Sequence, residues 1–215
     1  MLRDVSMDAI SDGNLYTAND MVKLGCNDCK GCSDCCRDMG ESIVLDPYDV
    51  FRLTSHLNRS FESMIDRELT LGVVDGLILP SIQMDNENAC CAFLDENGRC
   101  SVHQARPGIC RLFPLGRIYE ENGFKYFLQV DECSVKNRTK VKIKKWLGEK
   151  DYYGYEKYIL SWHELLVNCR EYVQTLQEQE KIKAISMRLL TEFYVKGYDK
   201  GEDFFTQFEQ RKNRL

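Results

Sequence analysis

Apolar residues return along the chain with two different periods. Over 155–176, Tyr155, Tyr158, Ile159, Trp162, Leu165, Leu166, Cys169, Tyr172, Val173 and Leu176 stand three or four residues apart at most steps, the spacing of one face of an α-helix. Ile182, Ile185, Leu189 and Phe193 prolong that stripe in a second helix that Gly197 ends. A shorter stripe of Val50, Leu53 and Leu57 follows Asp46-Pro47, a capping residue with proline at the first helical position, and stops at Asn58. Ser60 reads as a further cap and predicts another short helix over FESMIDREL. Elsewhere the pattern is extended. Ser42 to Leu45 is a short strand-like piece, Asp75-Gly76 divides the apolar run from Leu69 to Met84, and Glu121-Asn122-Gly123 divides RIYE from FKYFLQV. Such pairs supply the positive φ that tight turns demand, so both runs are expected to fold as β-hairpins.

These elements group into two textures. Residues 1–135 are broken, turn-rich and hold most of the cysteines; residues 151–215 carry the helical stripes without an internal proline. Between them, 136–150 reads as a basic connector, with Lys136, Arg138, Lys140, Lys142, Lys144 and Lys145 close together. The expectation is an α+β protein: a metal-organised, loop-rich cysteine-cluster domain with short hairpins, against which the C-terminal helices pack.

Composition changes this picture at one point. A chain of 215 residues, 43% hydrophobic, buries a real core and needs no covalent staples, so its eleven cysteines call for another explanation. The Asp-rich opening, MLRDVSMDAISDGNLYTANDMVKLG, lacks the apolar run of a signal peptide. No stretch approaches the roughly 18 apolar residues of a membrane span. A cytoplasmic protein is expected, in a compartment where thiols stay reduced or bind metal; an odd count also resists complete pairing within one chain. The net charge of −5 speaks against general nucleic-acid binding. Segment 136–145 reads as a solvated face or linker, or as a docking strip for an acidic partner, a protein above all, or RNA.

The chemistry lies in Cys26-x2-Cys29-x2-Cys32-x2-Cys35-Cys36. Two residues between cysteines let one tight turn aim both sulfurs at a common centre, and here that spacing recurs three times. Adjacent cysteines in an extended segment point to opposite faces, so Cys35-Cys36 and Cys90-Cys91 each serve two centres or leave one thiol spare, unless a turn intervenes. Four thiolates around a divalent ion leave a charge of −2 that wants cations nearby. Arg37, Arg99, Arg106 and Arg111 neighbour the cysteines and are the candidates to flank a bound group; Arg37, Arg106 and Arg111 lead. His103 could replace a thiolate. Cys169 lies on the buried helical stripe and reads as a small core residue.

In these residues the chain resembles the bacterial and archaeal cysteine-cluster proteins called YkgJ-like or CxxCxxCC proteins, described as zinc- or iron-chelating domains. The resemblance is carried by CKGCSDCC, IVLDPYDVFRL, CAFLDENGRCSVHQARPGICRLFPLG and Cys133, from about Cys26 to Cys133. It implies Cys29, Cys32, Cys35, Cys36, Cys91, Cys100, Cys110 and Cys133 as metal ligands, enough for two four-thiolate centres. Cys26 extends the motif and is retained as a ligand candidate; Cys90 and Cys169 are extra. Ala92 stands where the family usually has proline. One branch, the flagellin lysine N-methylases, is longer and carries an iron–sulfur cluster, but no glycine-rich cofactor loop of the usual methyltransferase kind is visible here.

C-x2-C-x2-C matches the core of bacterial ferredoxin ligation without its C-P partner, whereas zinc knuckles more often use separated pairs. The reading favours a [4Fe–4S] cluster, with zinc as the alternative. Two functions stay open: an iron–sulfur protein with a redox or protein-modifying role, or a zinc-stabilised interaction module without catalysis. No Ser-His-Asp, paired-carboxylate or phosphate-loop constellation suggests catalysis apart from the metal.

Overall fold

The computed structural model describes residues 7–26, 32–85, 87 and 89–215. In chain order the regular elements are α1 (Met7–Ile10), β1 (Met21–Gly25), α2 (Pro47–Leu57), β2 (Leu69–Val74), β3 (Leu77–Ile82), α3 (Gly108–Leu112), β4 (Leu115–Glu120), β5 (Gly123–Leu128), β6 (Thr139–Lys142), α4 (Ile143–Leu147), α5 (Tyr152–Thr175), α6 (Gln179–Leu190) and α7 (Phe204–Lys212). The protein is therefore α+β, as expected. Its strands form three antiparallel pairs: β1 with β6, β2 with β3, and β4 with β5.

Helix α2 begins where Asp46-Pro47 predicts. The Asp46 carboxylate accepts from the Asp49 amide at 2.8 Å, Asp49 returns the bond in a capping box, and Asn58 closes the helix in the left-handed conformation. The β2–β3 hairpin turns on Asp75 (φ 50°) and Gly76 (φ 86°), both left-handed. Ser42–Leu45 adds a short third edge to it: Val44 bridges Ser81, and the Leu45 amide donates to the Pro80 carbonyl at 2.9 Å. The expected helix after Ser60 is reduced to one 3-10 turn, Glu62–Met64. Asp66 turns left-handed directly after it and Leu69 enters the hairpin, so sheet pairing overrides local helix propensity.

The basic segment is structured. Residues 139–142 pair with β1, so that Lys140 and Lys142 face outward while Val141 packs inward. Alternating charge there is a strand pattern of period two. Residues 143–147 then form α4.

The main core joins both textures of the sequence. Val50 and Leu53 of α2 and Leu69, Leu77 and Ile82 of the hairpin pack with Tyr155, Tyr158, Ile159 and Trp162 of α5, with Leu189 and Phe193, and with Phe204 and Phe208 of α7. Tyr158, Phe193 and Phe208 are almost wholly buried, and each such side chain contributes about 1.5–3 kcal/mol through burial. α6 runs on into a single π-helical turn, Thr191–Val195, that ends before Gly197. A second core of Val22, Leu24, Leu115, Tyr126, Ile143 and Leu147 lies under β1, β5 and α4. Among the described residues, no helix is long and apolar enough to cross a membrane.

Candidate metal centre

Four chain segments bring the central thiols together. Ser33 leads into the 3-10 turn Asp34–Cys36, which carries Cys35 and Cys36. This turn is pinned to the next cysteine pair: the Cys91 amide donates to the Cys36 carbonyl at 2.8 Å, and Arg37 bridges Cys90. A second bridge, Leu94 to Cys100, closes the loop whose turn holds Gly98 (φ 70°). Cys110 arrives on α3, whose first amide, that of Gly108, donates to Asp49 Oδ1 at 2.6 Å.

Cys32, Cys35, Cys36, Cys91, Cys100 and Cys110 line one cavity of about 60 Å³. Ile82, Phe93 and Val102 wall it off from the main core, and Arg99, Arg106 and His103 complete it. On the same measure a single water occupies about 10–15 Å³, so the space admits a group of several atoms. Adjacent cysteines behave in two ways. Cys91 lines the cavity and Cys90 does not, as expected for extended backbone. Cys35 and Cys36 both line it because they sit in a turn, and their thiols hydrogen-bond each other.

At four of these thiols the surroundings disfavour the charged form. Hydrogen bonding to Cys36, then burial, holds the Cys35 thiol above its usual range, and the Arg106 guanidinium opposes the shift. Burial pushes Cys91 up to about 11 and Cys100 upward, and raises half-buried Cys110 well above the ordinary value. Cys35, Cys91 and Cys100 each add to the rise at Cys110, so these four groups share one field. Backbone amides counteract it: the Phe93 N–H donates to the Cys91 sulfur and the Val102 N–H to that of Cys100. Amides aimed at sulfur favour the thiolate and are the means by which proteins tune sulfur-held metals. This donor set fits a positively charged metal or cluster that displaces the thiol protons. Among the described residues, no three Cys, His, Asp or Glu side chains already stand close enough to hold a single metal ion.

The other residues expected at the site divide as follows. Cys29 lies outside the described residues. Cys32 lines the cavity and its sulfur lies 3.9 Å from Ser134 Oγ. Cys133 and Cys26 do not line the cavity. Cys169 packs in α5 against the main core, as its position on the stripe predicts. Cys32, Cys35, Cys36, Cys90, Cys91, Cys100, Cys110, Cys133 and Cys169 are thiols, none of them in a disulfide. Arg106 reaches the cavity and its Nη1 lies 3.1 Å from His103 Nε2. Arg37 Nε donates to Ser33 Oγ at 3.3 Å, on the turn that bears Cys35. Arg111 points the other way. Its buried guanidinium donates to the Leu147 carbonyl at 3.3 Å and pairs with Glu149, and it lies over the Tyr155 ring.

Sequence reasoning did not find this network behind α3. Glu149 also accepts from Arg52 Nη1 and from the Tyr48 hydroxyl, each at 3.1 Å. A Cβ on Gly108 would come 3.0 Å from the Tyr155 hydroxyl, so only glycine lets α3 seat against α5 without a shift. The available signal was Asp49, three residues after the Asp46 cap, whose carboxylate serves the capping box and the Gly108 amide together.

A loop-rich domain whose thiols meet in one cavity, with amides and arginines turned toward the sulfurs, defines a cysteine-rich metal-binding protein. The chain belongs to the CxxCxxCC family, whose model is described as "Putative zinc- or iron-chelating domain" and matches residues 28–142. No curated protein and no solved structure matches the chain.

Proposed function

We propose that the cavity holds an iron–sulfur cluster of the four-iron type, ligated by Cys35, Cys91, Cys100 and Cys110, and that the protein serves a redox or protein-modifying role in the cytoplasm. The carrying observation is the space itself: about 60 Å³ between thiols supplied by four segments, more than one tetrahedral ion needs. A bound cluster supplies one-electron chemistry. The chain's own part is to exclude water with Ile82, Phe93 and Val102, to direct the Phe93 and Val102 amides at two sulfurs, and to balance thiolate charge with Arg99 and Arg106. Cys36 and Cys32 line the same cavity and can serve as replacement ligands. The reducing cytoplasm suits the reading because it keeps such thiols unpaired.

Zinc is the competing occupant, favoured by one observation. The thiol-bearing stretches 32–37 and 90–112 are tied mainly by isolated bridges and short turns, and a structural ion would fasten them. Metal and acid-labile sulfide analysis on protein purified without oxygen decides between them. Iron with equivalent sulfide and broad brown absorption is expected, lost in Cys110→Ser and retained in Cys169→Ser. Zinc without sulfide would transfer the site to the structural reading, and full metal retention by Cys110→Ser would remove the ligand assignment.

A further inference from the structure

A second, larger concavity lies on the other side of Glu149. Its volume is about 390 Å³, and Lys144, Lys145, Lys150, Asp151, Tyr152 and Tyr153 line it together with Glu149. Small-molecule sites span about 300–1,000 Å³, so the size is that of a ligand site. Two carboxylates line it, and both are already committed. Glu149 is bound by Arg111, Arg52 and the Tyr48 hydroxyl, and Asp151 caps α5 by accepting from the Gly154 amide at 3.0 Å. The three lysines form no ion pair among the described residues. Three lysines, opposed by the Asp151 carboxylate, thus line one cleft of a protein whose net charge is −5.

The remaining lining adds two features. Tyr152 and Tyr153 open the 24-residue α5, whose N-terminus Asp151 caps. Tyr153 is 68% exposed and lines the cleft, so its ring is within reach of a ligand there. The Tyr152 hydroxyl is engaged with Tyr126 at 2.9 Å, and the Tyr153 ring stands edge-to-face on the Tyr152 ring at 5.7 Å, leaving its outer face open.

We propose that this cleft binds a nucleotide-sized phosphorylated small molecule, with Lys144, Lys145 and Lys150 on its phosphates and Tyr153 against its aromatic ring. Three lysines on one cleft, in excess of its one carboxylate not paired with an arginine, call for a ligand with more than one negative charge. Lysine meets phosphate as a point charge without needing a fixed fork. The exposed ring gives the base of such a ligand a stacking surface. A concave site of this volume suits a compact polyphosphate better than an extended strand, whose charges would follow Lys140 and Lys142 along β6.

Calorimetric titration with inorganic tripolyphosphate and, separately, with adenosine triphosphate tests this on the full chain. Both are expected to bind, more weakly as salt is raised. Lys144→Glu/Lys145→Glu/Lys150→Glu is expected to weaken both by at least about tenfold, while Lys140→Glu/Lys142→Glu, outside the cleft, changes neither. Tyr153→Ala should weaken the nucleotide and spare tripolyphosphate. These lysines are on the surface, and unchanged circular dichroism will show that the variants fold. Absence of binding by either probe at millimolar concentration would overturn the proposal. So would binding that the triple variant retains, or binding of a short RNA or an acidic peptide that outcompetes both probes and follows Lys140 and Lys142. Nucleotide binding unaffected by Tyr153→Ala would overturn the role of the ring.

Discussion

Asp49 shows how much one side chain can carry. It is buried, completes the cap of α2 and accepts the first amide of α3, two residues before Cys110. Burial and then the neighbouring Asp46 carboxyl push its own carboxyl well above the usual range, against the pull of Arg111, and burial raises Asp46 as well. A free aspartate titrates near 3.9, so from about pH 4 up to the folded value the folded state keeps a proton that the unfolded chain has lost. Stability from this source is complete below the unfolded value and falls as pH rises through the folded one, by at most about 1.4 kcal/mol per pH unit. Urea unfolding between pH 5 and 8.5 should show that decline, and Asp49→Asn, which still accepts from Gly108, should flatten it. A slope unchanged in the variant would place the proton elsewhere.

At the scale of elements, the hairpins were the most legible part of the chain, because a turn states its requirement in one or two residues. Gly76 has φ 86°, a region that costs a residue with a Cβ about 1–2 kcal/mol. Gly76→Ala is expected to destabilise the protein by that amount, read from the urea midpoint at constant slope. A loss below about 0.3 kcal/mol would mean that the turn rearranges freely. α2, α5 and α6 were legible from their stripes and caps. The elements that escaped are short or depend on distant partners. β6 is four residues that need β1 to become a strand, α3 is five residues seated by Asp49 and Glu149, and α7 carries two buried phenylalanines without a longer repeat. The sequence also named the thiols of the cavity while leaving their grouping open. Which of two adjacent cysteines turns inward depends on whether the backbone there is extended, as at Cys91, or coiled, as at Cys35.

The whole molecule behaves as more than its two textures. The aromatic side chains of the C-terminal helices share one core with the hairpin and with Phe93 beside the thiol cavity. Loss of structure at one end should therefore be felt at the other. Phe208→Ala is expected to cost about 3–5 kcal/mol. It should shift the far-ultraviolet dichroism midpoint and the midpoint for thiol exposure to a sulfhydryl reagent by the same amount, as a single cooperative unit requires. Two separated midpoints would show that residues 1–135 unfold independently of 151–215.

The chain also meets at the thiols in a particular order. Cys35, Cys91, Cys100 and Cys110 lie far apart along the backbone at one step and close together at the next two. A group gripping all four would act as a knot in the denatured chain, enclosing one long loop, with α2 and the β2–β3 hairpin inside it, and two short ones. The entropy of loop closure grows only slowly with length, so most of the restriction would come from having three closures rather than from the size of the largest. The loaded protein would then unfold into a tethered, compact chain. Its denaturant slope would be smaller than that of the empty form even where the two folded states coincide.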